Sequence, residues 1–346
     1  MAQGVAHREP DTGEPSGYEG LVTRVTSVSS GTATIGRPDV IAAAQRISGL
    51  VRPVTLLPAS PGRSGTQVSL ACEFMQHTGS FKARGAANLA EFYRRSATMP
   101  QAGIVIASGG NAGLACAWAA RAAGAKATVF LPVTAPEVKA ARLRSYGAEV
   151  ILAGSEYADA LAASVEHAHA TGALLSHAYD HPLVAAGAGT LALEILAQVP
   201  GTGTIIVAVG GGGLFAGTAA ALTGTGVRIV AVEPANCRAL SAALDAGRPV
   251  DVTVESVAAD SLGARRVSQM AYEFARSANV SGVLVPDDAI IAARQELWDE
   301  YRIVVEHGGA TAFAAVLSGA WQPAPGEQVT VVLCGANTDP ADLVRG

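Results

Sequence analysis

One lysine stands out in a chain that otherwise avoids this residue. Lys82 lies in the segment Gln76-His77-Thr78-Gly79-Ser80-Phe81-Lys82-Ala83-Arg84-Gly85-Ala86. The only other lysines among the 346 residues are Lys126 and Lys139, so the other 21 of the 24 basic residues are arginine. An amine, unlike a guanidinium, becomes neutral near physiological pH when burial disfavours its charge, and a neutral amine forms Schiff bases with carbonyl compounds. Lys82 is therefore a candidate nucleophile, although a surface lysine after a turn explains the spacing equally well.

Three further loops follow predicted strands. Ser108-Gly109-Gly110-Asn111-Ala112-Gly113 precedes a predicted helix, where free backbone N–H groups attract a carboxylate or phosphate; the alternative is an N-cap with a tight turn. Gly210-Gly211-Gly212-Gly213-Leu214 lets backbone amides approach a phosphate closely. Cys334 follows the last apolar strand, where it either faces a ligand or is a buried structural thiol.

The tetraglycine loop also permits a different interpretation. Residues 211–216 fit the pattern G-x-G-x-x-A, and Glu233 follows about 20 residues later at the end of the next predicted strand. That arrangement is typical of dinucleotide-binding proteins. A dinucleotide-dependent oxidoreductase is therefore an alternative from another enzyme class, but it leaves Lys82, Asn111 and Cys334 unexplained.

Short apolar runs alternate with helical stretches and predict an α/β fold with an open twisted sheet. The predicted strands cover residues 103–107, 127–131, 149–152, 204–209, 228–232 and 329–333. The predicted helices cover residues 83–92, 111–124, 136–146, 157–170, 214–222, 289–301 and 310–319.

Composition excludes several classes of protein. Hydrophobic residues make up 49% of the chain and aromatic residues 5%, while the net charge is −5 without a basic stripe. Neither nucleic-acid binding nor a membrane span is expected. The four cysteines are far apart and form no C-x-x-C pair, and no export signal precedes them, so a cytoplasmic protein without a zinc site is expected. His177, His181 and His307 are predicted to be solvated or to lie behind the site.

Taken together and in order, these loops resemble the fold-type II pyridoxal phosphate (PLP) enzymes, and most closely the serine/threonine dehydratases, also called ammonia-lyases. The similarity covers about residues 40 to 340. It implies two open α/β domains with the cofactor in the cleft between them. It also implies α,β-elimination of a small 3-hydroxy amino acid to a 2-oxo acid and ammonia, in a homodimer.

The resemblance assigns roles to particular residues. Lys82 would carry the Schiff base and act as the catalytic residue. The other cofactor-binding residues it implies are Phe81, Asn111, Gly210, Gly211, Gly212, Gly213, Leu214, Cys334 and Glu306. The residues implied for the substrate carboxylate are Ser80, Ser108, Gly109, Gly110, Asn111 and Ala112. Cys334 would face the pyridine nitrogen, and Glu306 would lie behind the ring.

Departures from the family pattern narrow the expected reaction. Racemases of the family commonly have a serine at the position of Gly109, which serves as the opposite-face acid/base, so its absence argues against racemisation. Glu233 matches one carboxylate of a divalent-metal site in some relatives, but Ala239 replaces its partner, so no metal is predicted. β-Replacement and racemisation on the same scaffold remain alternatives.

The chain is predicted to divide into three parts. Residues 1–35 form a disordered tail, residues 36–102 together with 178–346 form a large PLP-binding domain, and residues 103–177 form a small substrate-binding domain.

Overall fold

The computed structural model of the protein describes residues 34–61, 67–277 and 279–344. The predicted tail lies outside the described residues except for its last two positions, Thr34 and Ile35. The described residues form two twisted sheets with helices packed on them, as the alternation of apolar runs and helical stretches predicts.

The larger sheet has six strands in the order β1-β2-β10-β7-β8-β9. Its strands are β1 Leu56–Ala59, β2 Val68–Ala71, β7 Thr202–Ala208, β8 Arg228–Pro234, β9 Val280–Val285 and β10 Gln328–Val332. All neighbours pair in parallel except β1 and β2, which pair antiparallel. The strand β10 lies between β2 and β7 and is parallel to both. The segment that follows β10 therefore lies beside the segment that follows β2.

The smaller sheet has four parallel strands in the order β5-β4-β3-β6. Its strands are β3 Ile104–Ala107, β4 Ala127–Leu131, β5 Glu149–Leu152 and β6 Leu174–Leu175. They all fall within the predicted small domain, residues 103–177. The division into two domains at these boundaries stays a prediction.

Twelve α-helices occur within the described ranges. They are α1 Arg37–Ile47, α2 Lys82–Arg95, α3 Asn111–Ala122, α4 Glu137–Ser145, α5 Tyr157–Thr171, α6 Pro182–Gln198, α7 Gly213–Leu222, α8 Ala239–Ala246, α9 Ala259–Leu262, α10 Gln269–Ala275, α11 Asp287–Tyr301 and α12 His307–Leu317. Every predicted helix and strand is present, with ends shifted by a few residues. Each of these described helices is too short or too polar to span a lipid bilayer.

A buried arginine joins the segments around the start of α2. Arg84 is fully buried and donates from Nε to Glu73 Oε1 at 2.6 Å and from Nη1 to Glu194 Oε1 at 2.6 Å. Its Nη2 group reaches the second oxygen of each carboxylate, at 3.0 Å in both cases. Burial by itself would lower the pKa of Arg84, but the two carboxylates outweigh it and hold that pKa above its ordinary value. Arg84 therefore ties α2 to the turn before it and to α6.

Three helices pack backbone to backbone beside this network. A Cβ atom added to Gly187 in α6 would lie 2.6 Å from the Arg84 carbonyl oxygen in α2. A Cβ added to Gly217 in α7 would lie 2.1 Å from the Ala185 carbonyl oxygen in α6. Such separations are possible only without a side chain. Helices α2, α6 and α7 thus form one close-packed slab, hereafter the glycine slab, and it carries both Lys82 and the end of the tetraglycine loop.

Replacing Arg84 should destabilise the fold strongly. In Arg84→Met, the Glu73 carboxylate stays buried without its cation, and losing one partner of a buried ion pair costs about 3–5 kcal/mol. Urea unfolding measures the loss. Arg144→Met is the matched control because Arg144 pairs with Glu137 on the surface, and its loss should be much smaller. Equal unfolding midpoints for the two variants would disprove a stabilising role of Arg84.

Candidate active site

Lys82 is the first residue of α2, and its amine turns inward. Its Nζ donates to the Ala178 carbonyl oxygen at 3.1 Å and lies 4.6 Å from the centroid of the Phe81 ring. Burial lowers the pKa of Lys82 to about 8, although nearby Cys334 and Glu306 act in the opposite direction. The amine is therefore neutral in a large fraction of molecules at mildly alkaline pH, as the sequence led us to expect of a nucleophile.

The loop after β10 packs directly on the Lys82 segment. The Phe81 N–H donates to the Cys334 carbonyl oxygen at 3.0 Å, and Ser80 forms an isolated bridge with Gly335. The Cys334 thiol is buried, donates to the Gly308 carbonyl oxygen at 3.5 Å, and has its pKa raised to about 12 by burial. The structure therefore brings the predicted residues Ser80, Phe81, Lys82 and Cys334 together, with Cys334 as a neutral thiol.

Two buried hydroxyl groups in the Lys82 segment have no hydrogen-bond partner. They are Thr78 Oγ1 and Ser80 Oγ, and Ser80 is fully buried. A buried hydroxyl group without a partner costs free energy, so such atoms commonly meet a ligand. Thr78 also has a φ of 62°, a strained value for a β-branched residue. Both features make this segment a candidate ligand-binding turn.

The predicted carboxylate loop lies at the junction of β3 and α3. Asn111 begins α3, Gly110 occupies the N-cap position, and the Gly110 N–H points to Ser108 Oγ at 3.4 Å. The backbone at Gly109 and Gly110 is partly exposed, so the unpaired N–H groups of the helix start are accessible to an anion. Ala112 is different, because its side chain packs into the hydrophobic core of the smaller sheet. It can contribute only its backbone.

Asn111 reaches across to the other sheet. Its Nδ2 donates to Glu306 Oε1 at 2.7 Å. Burial raises the pKa of Glu306 to about 7, and this donation from Asn111 limits the rise. Glu306 also stands at the start of α12 and donates its backbone N–H to the Gly335 carbonyl oxygen at 3.1 Å. The predicted position of Glu306 beside the site therefore agrees with its contacts.

A second contact spans the two sheets at the edge of the carboxylate loop. Lys139 in α4 donates to Asp260 Oδ1 in α9 at 2.8 Å, and both side chains are exposed. A Cβ atom added to Gly109 would lie 3.7 Å from Lys139 Cδ. A second of the three lysines thus lies beside the predicted substrate loop.

The tetraglycine loop lies between β7 and α7, with Gly212 at φ 93° and Gly213 as the first residue of α7. Tyr179 covers this loop so closely that a Cβ on Gly211 would lie 2.3 Å from its ring. Gly210 and Gly211 are partly exposed and lie just before the start of α7, where free backbone N–H groups attract an anion. The Leu214 side chain packs into the core of the larger sheet, so Leu214 also contributes only backbone.

A segment that sequence reasoning missed links Lys82 to the tetraglycine loop. Ala178 accepts the hydrogen bond from Lys82, and the next residue, Tyr179, covers Gly211. His177 Nδ1 accepts from the N–H groups of Tyr179 at 3.2 Å and Asp180 at 2.8 Å, and burial lowers the pKa of His177 to about 4. His177 is therefore a neutral residue that shapes the turn. The hydrogen bond between Ala178 and Lys82 spans 96 positions in sequence, which no local pattern reveals.

Glu233 does not fit the dinucleotide interpretation. Its carboxylate is buried and accepts the N–H groups of Leu240 at 2.7 Å and Ser241 at 2.9 Å. Those bonds turn the buried carboxylate toward the start of α8, where it serves the main chain of the protein. No group of three or more metal-ligating side chains occurs in the part of the chain that the structure describes. The absence of a metal site nevertheless stays a prediction.

Comparisons with known proteins agree on one family. The family model described as "Pyridoxal-phosphate dependent enzyme" matches residues 47–335. A putative threonine dehydratase of Sinorhizobium fredii is 35% identical over 83% of this chain and 87% of its own. An L-threonine ammonia-lyase of Geobacter sulfurreducens is 37% identical over 80% of this chain and 68% of its own. The structure of maize serine racemase superposes with a TM-score of 0.82 at 28% identity, covering 90% of this chain and 96% of the other.

The reactivity of Lys82 should depend on pH around its lowered pKa. Because burial disfavours the ammonium form, the rate of acylation of Lys82 by an amine-directed reagent should rise up to about pH 8 and then level off. Mass spectrometry of peptides from the cofactor-free protein measures the rate, and Lys126 in the same digest reports on reagent decay. A rate that still rises steeply two pH units higher would contradict the lowered pKa.

Proposed function

The chain belongs to the family of pyridoxal-phosphate dependent enzymes, and on this premise we propose that it performs α,β-elimination on a small 3-hydroxy amino acid of the serine or threonine type. The products are a 2-oxo acid and ammonia. The structural match also confirms the predicted fold class. The observation that carries the proposal is the inward Lys82 amine with its lowered pKa, placed between the tetraglycine loop and the loop after β10.

The residues present fit PLP. An amine for the Schiff base, the glycine-lined loop at a helix start for a phosphate, and the two unpaired hydroxyl groups of Thr78 and Ser80 all lie on segments that contact one another. We propose that Lys82 and the amides of Gly210–Gly213 hold the cofactor. Phe81, Asn111, Cys334 and Glu306 would surround its ring. When bound, PLP supplies an electron sink for negative charge at the substrate Cα.

Lys82 is the proposed base. Its amine would take the proton from the substrate Cα, because a pKa of about 8 leaves a sizeable neutral fraction at mildly alkaline pH. The Ala178 carbonyl oxygen, 3.1 Å from Nζ in this structure, provides a place to hold the amine. Protonated Lys82 can then return its proton toward the departing hydroxyl group.

The carboxylate loop is the proposed substrate anchor. Ser108, Asn111 and the backbone N–H groups of Gly109–Ala112 lie at the start of α3, where the helix favours a negative charge. Ser80, with its unpaired hydroxyl group, would add a donor from the other side. Fixing the carboxylate orients the Cα–H bond, and such positioning contributes several kcal/mol to rate enhancements, on the order of 7 kcal/mol in favourable cases.

The Cys334 thiol fits elimination. A thiol with a pKa near 12 stays protonated and is a weak hydrogen-bond partner, so the pyridine nitrogen beside it would stay unprotonated. The electron sink is then moderate, which suits a reaction in which a leaving hydroxyl group soon takes up the charge. Gly109 also lacks the hydroxyl group that racemases of the family commonly have at this position, which argues against racemisation. Serine racemase nevertheless shares the fold, so racemisation is the second candidate.

We propose further that the enzyme is a cytoplasmic homodimer, as the family resemblance implies. The four cysteines, Cys72, Cys116, Cys237 and Cys334, are all buried and unpaired, which fits a reducing compartment. We also propose that the domain of the larger sheet, residues 36–102 and 178–346, binds PLP. The domain of the smaller sheet, residues 103–177, would bind the substrate.

Borohydride treatment of the purified protein with PLP should attach a pyridoxyl group to Lys82. Lys82→Arg keeps the charge but removes the amine, so it should lose the label and at least about a thousandfold of the activity. Lys126→Arg is the matched control and should keep both. Peptide mass spectrometry locates the label. Labelling of Lys126 or Lys139 instead would refute the assignment.

L-Serine and L-threonine should yield 2-oxo acid and ammonia in equal amounts. The assay quantifies both products and follows D-serine by chiral chromatography in the same sample. Sulfide added to a parallel reaction tests for β-replacement by formation of cysteine. If D-serine forms faster than 2-oxo acid, the main reaction is racemisation and not elimination. If cysteine forms faster, the main reaction is β-replacement.

A further inference from the structure

A hydrogen-bond chain runs from the surface helix α4 to Asn111. From it we propose that Asn337 is a positioning residue, which holds the Asn111 side-chain amide in one orientation, and that Arg142 in α4 fixes Asn337 in turn. This inference rests on the proposed function, because Asn111 is expected to serve PLP. The three residues are hereafter called the relay.

Every contact of the relay is a direct hydrogen bond. Arg142 Nη2 donates to Asn337 Oδ1. Asn337 Nδ2 donates to Asn111 Oδ1 and, at 2.8 Å, to the Thr78 carbonyl oxygen. Asn111 Nδ2 donates to Glu306 Oε1 at 2.7 Å. The relay thus ends at the two segments that flank Lys82, namely the Thr78 turn and the start of α12.

The chemistry of the two ends fixes the direction of every bond. A guanidinium only donates and a backbone carbonyl only accepts. The Asn337 atom facing Arg142 must therefore be oxygen, and the atom facing the Thr78 carbonyl must be nitrogen. The Asn337 amide then donates to Asn111, which forces Asn111 to present its oxygen there and its Nδ2 group to Glu306. Without the two ends, the Asn337 amide could turn by 180° at little cost, and Glu306 alone would hold the Asn111 amide in its donor orientation.

The orientation matters because only Nδ2 of Asn111 can donate. One of its hydrogens points to Glu306 Oε1, and the second remains for a negatively charged oxygen such as that on the ring of PLP. A reversed amide would present a carbonyl oxygen to that negative charge and repel it. The relay therefore adds a second constraint to that of Glu306 on the orientation of Asn111, and Arg142 contributes to it.

The relay also connects the two sheets. Arg142 and Asn111 belong to helices of the smaller sheet, whereas Asn337, Thr78 and Glu306 belong to loops and a helix packed on the larger sheet. Lys139, one turn before Arg142 on α4, makes the separate contact with Asp260. Helix α4 therefore reaches the larger sheet in two places, and the contact through Arg142 continues by hydrogen bonds to Asn111, a predicted cofactor-binding residue.

Two arginines on the same helix provide a matched test. Arg142→Glu replaces the donor-only end of the relay by an acceptor, whereas Arg144→Glu makes the same charge change at an exposed residue that pairs only with Glu137. Equilibrium dialysis gives the Kd for PLP, and the ratio of visible to near-ultraviolet absorbance of bound PLP reports the charge on its ring oxygen. Arg142→Glu should raise Kd about tenfold, the size of one hydrogen bond to a charged group, and lower the ratio. Arg144→Glu should change neither by more than about twofold.

Two further variants test whether Arg142 acts through Asn337. Arg142→Lys keeps a donor-only cation and should restore most of the affinity. In an Asn337→Ala background, which itself should bind PLP about tenfold more weakly, Arg142→Glu should have no additional effect, because residues of one network are not additive. Additive effects, or equal effects of Arg142→Glu and Arg144→Glu, would overturn the relay and leave the proposed function intact. A parent protein that does not bind PLP would overturn both.

Discussion

The double ion pair of Arg84 is the interaction on which the rest of the site depends. One fully buried guanidinium binds two carboxylates from segments that are far apart in sequence, Glu73 before the Thr78 turn and Glu194 in α6. Because an unpaired charge in this position is very unfavourable, the three groups fold together or not at all. Lys82 is two residues from Arg84, so the same bonds that join α2 to α6 also fix where the amine emerges.

Local sequence patterns identified the candidate residues of the site but not the elements that support them. The glycine-rich loops and Lys82 stand in local patterns, and the structure places them on connected segments at the ends of β3, β7 and β10. Helix α6 was not predicted, although it has 17 residues and is the longest helix described. Its apolar and small residues occur on all sides, because it is buried between α2 and α7. A helix without a polar face has no 3.6-residue period by which sequence reasoning can find it.

The long-range partners of the site could not be predicted for a different reason. Arg142 and Asn337 are 195 positions apart, as are Asn111 and Glu306, and no spacing rule relates them. Ala178 and Tyr179 lie in a turn without glycine or a motif, yet they touch both Lys82 and the tetraglycine loop. Such contacts follow from the order of strands in the two sheets. A local sequence motif identifies the glycine-rich loops and Lys82, whereas partners that are distant in sequence belong to no such motif.

The glycine slab has a consequence for how such an enzyme can diversify. Because α2, α6 and α7 touch through main-chain atoms, the separation of Lys82 from the tetraglycine loop does not depend on the identity of interchangeable side chains. The loop from Ser108 to Ala112 and helix α4 stand on the other sheet, outside that slab. Substitutions in that loop or in α4 therefore leave the spacing between the amine and the glycine turn intact, even where, as at Asn111 or Arg142, they alter contacts proposed for the ring of the vitamin-derived cofactor. Descendants of such a chain can thus acquire new substrates without moving the amine.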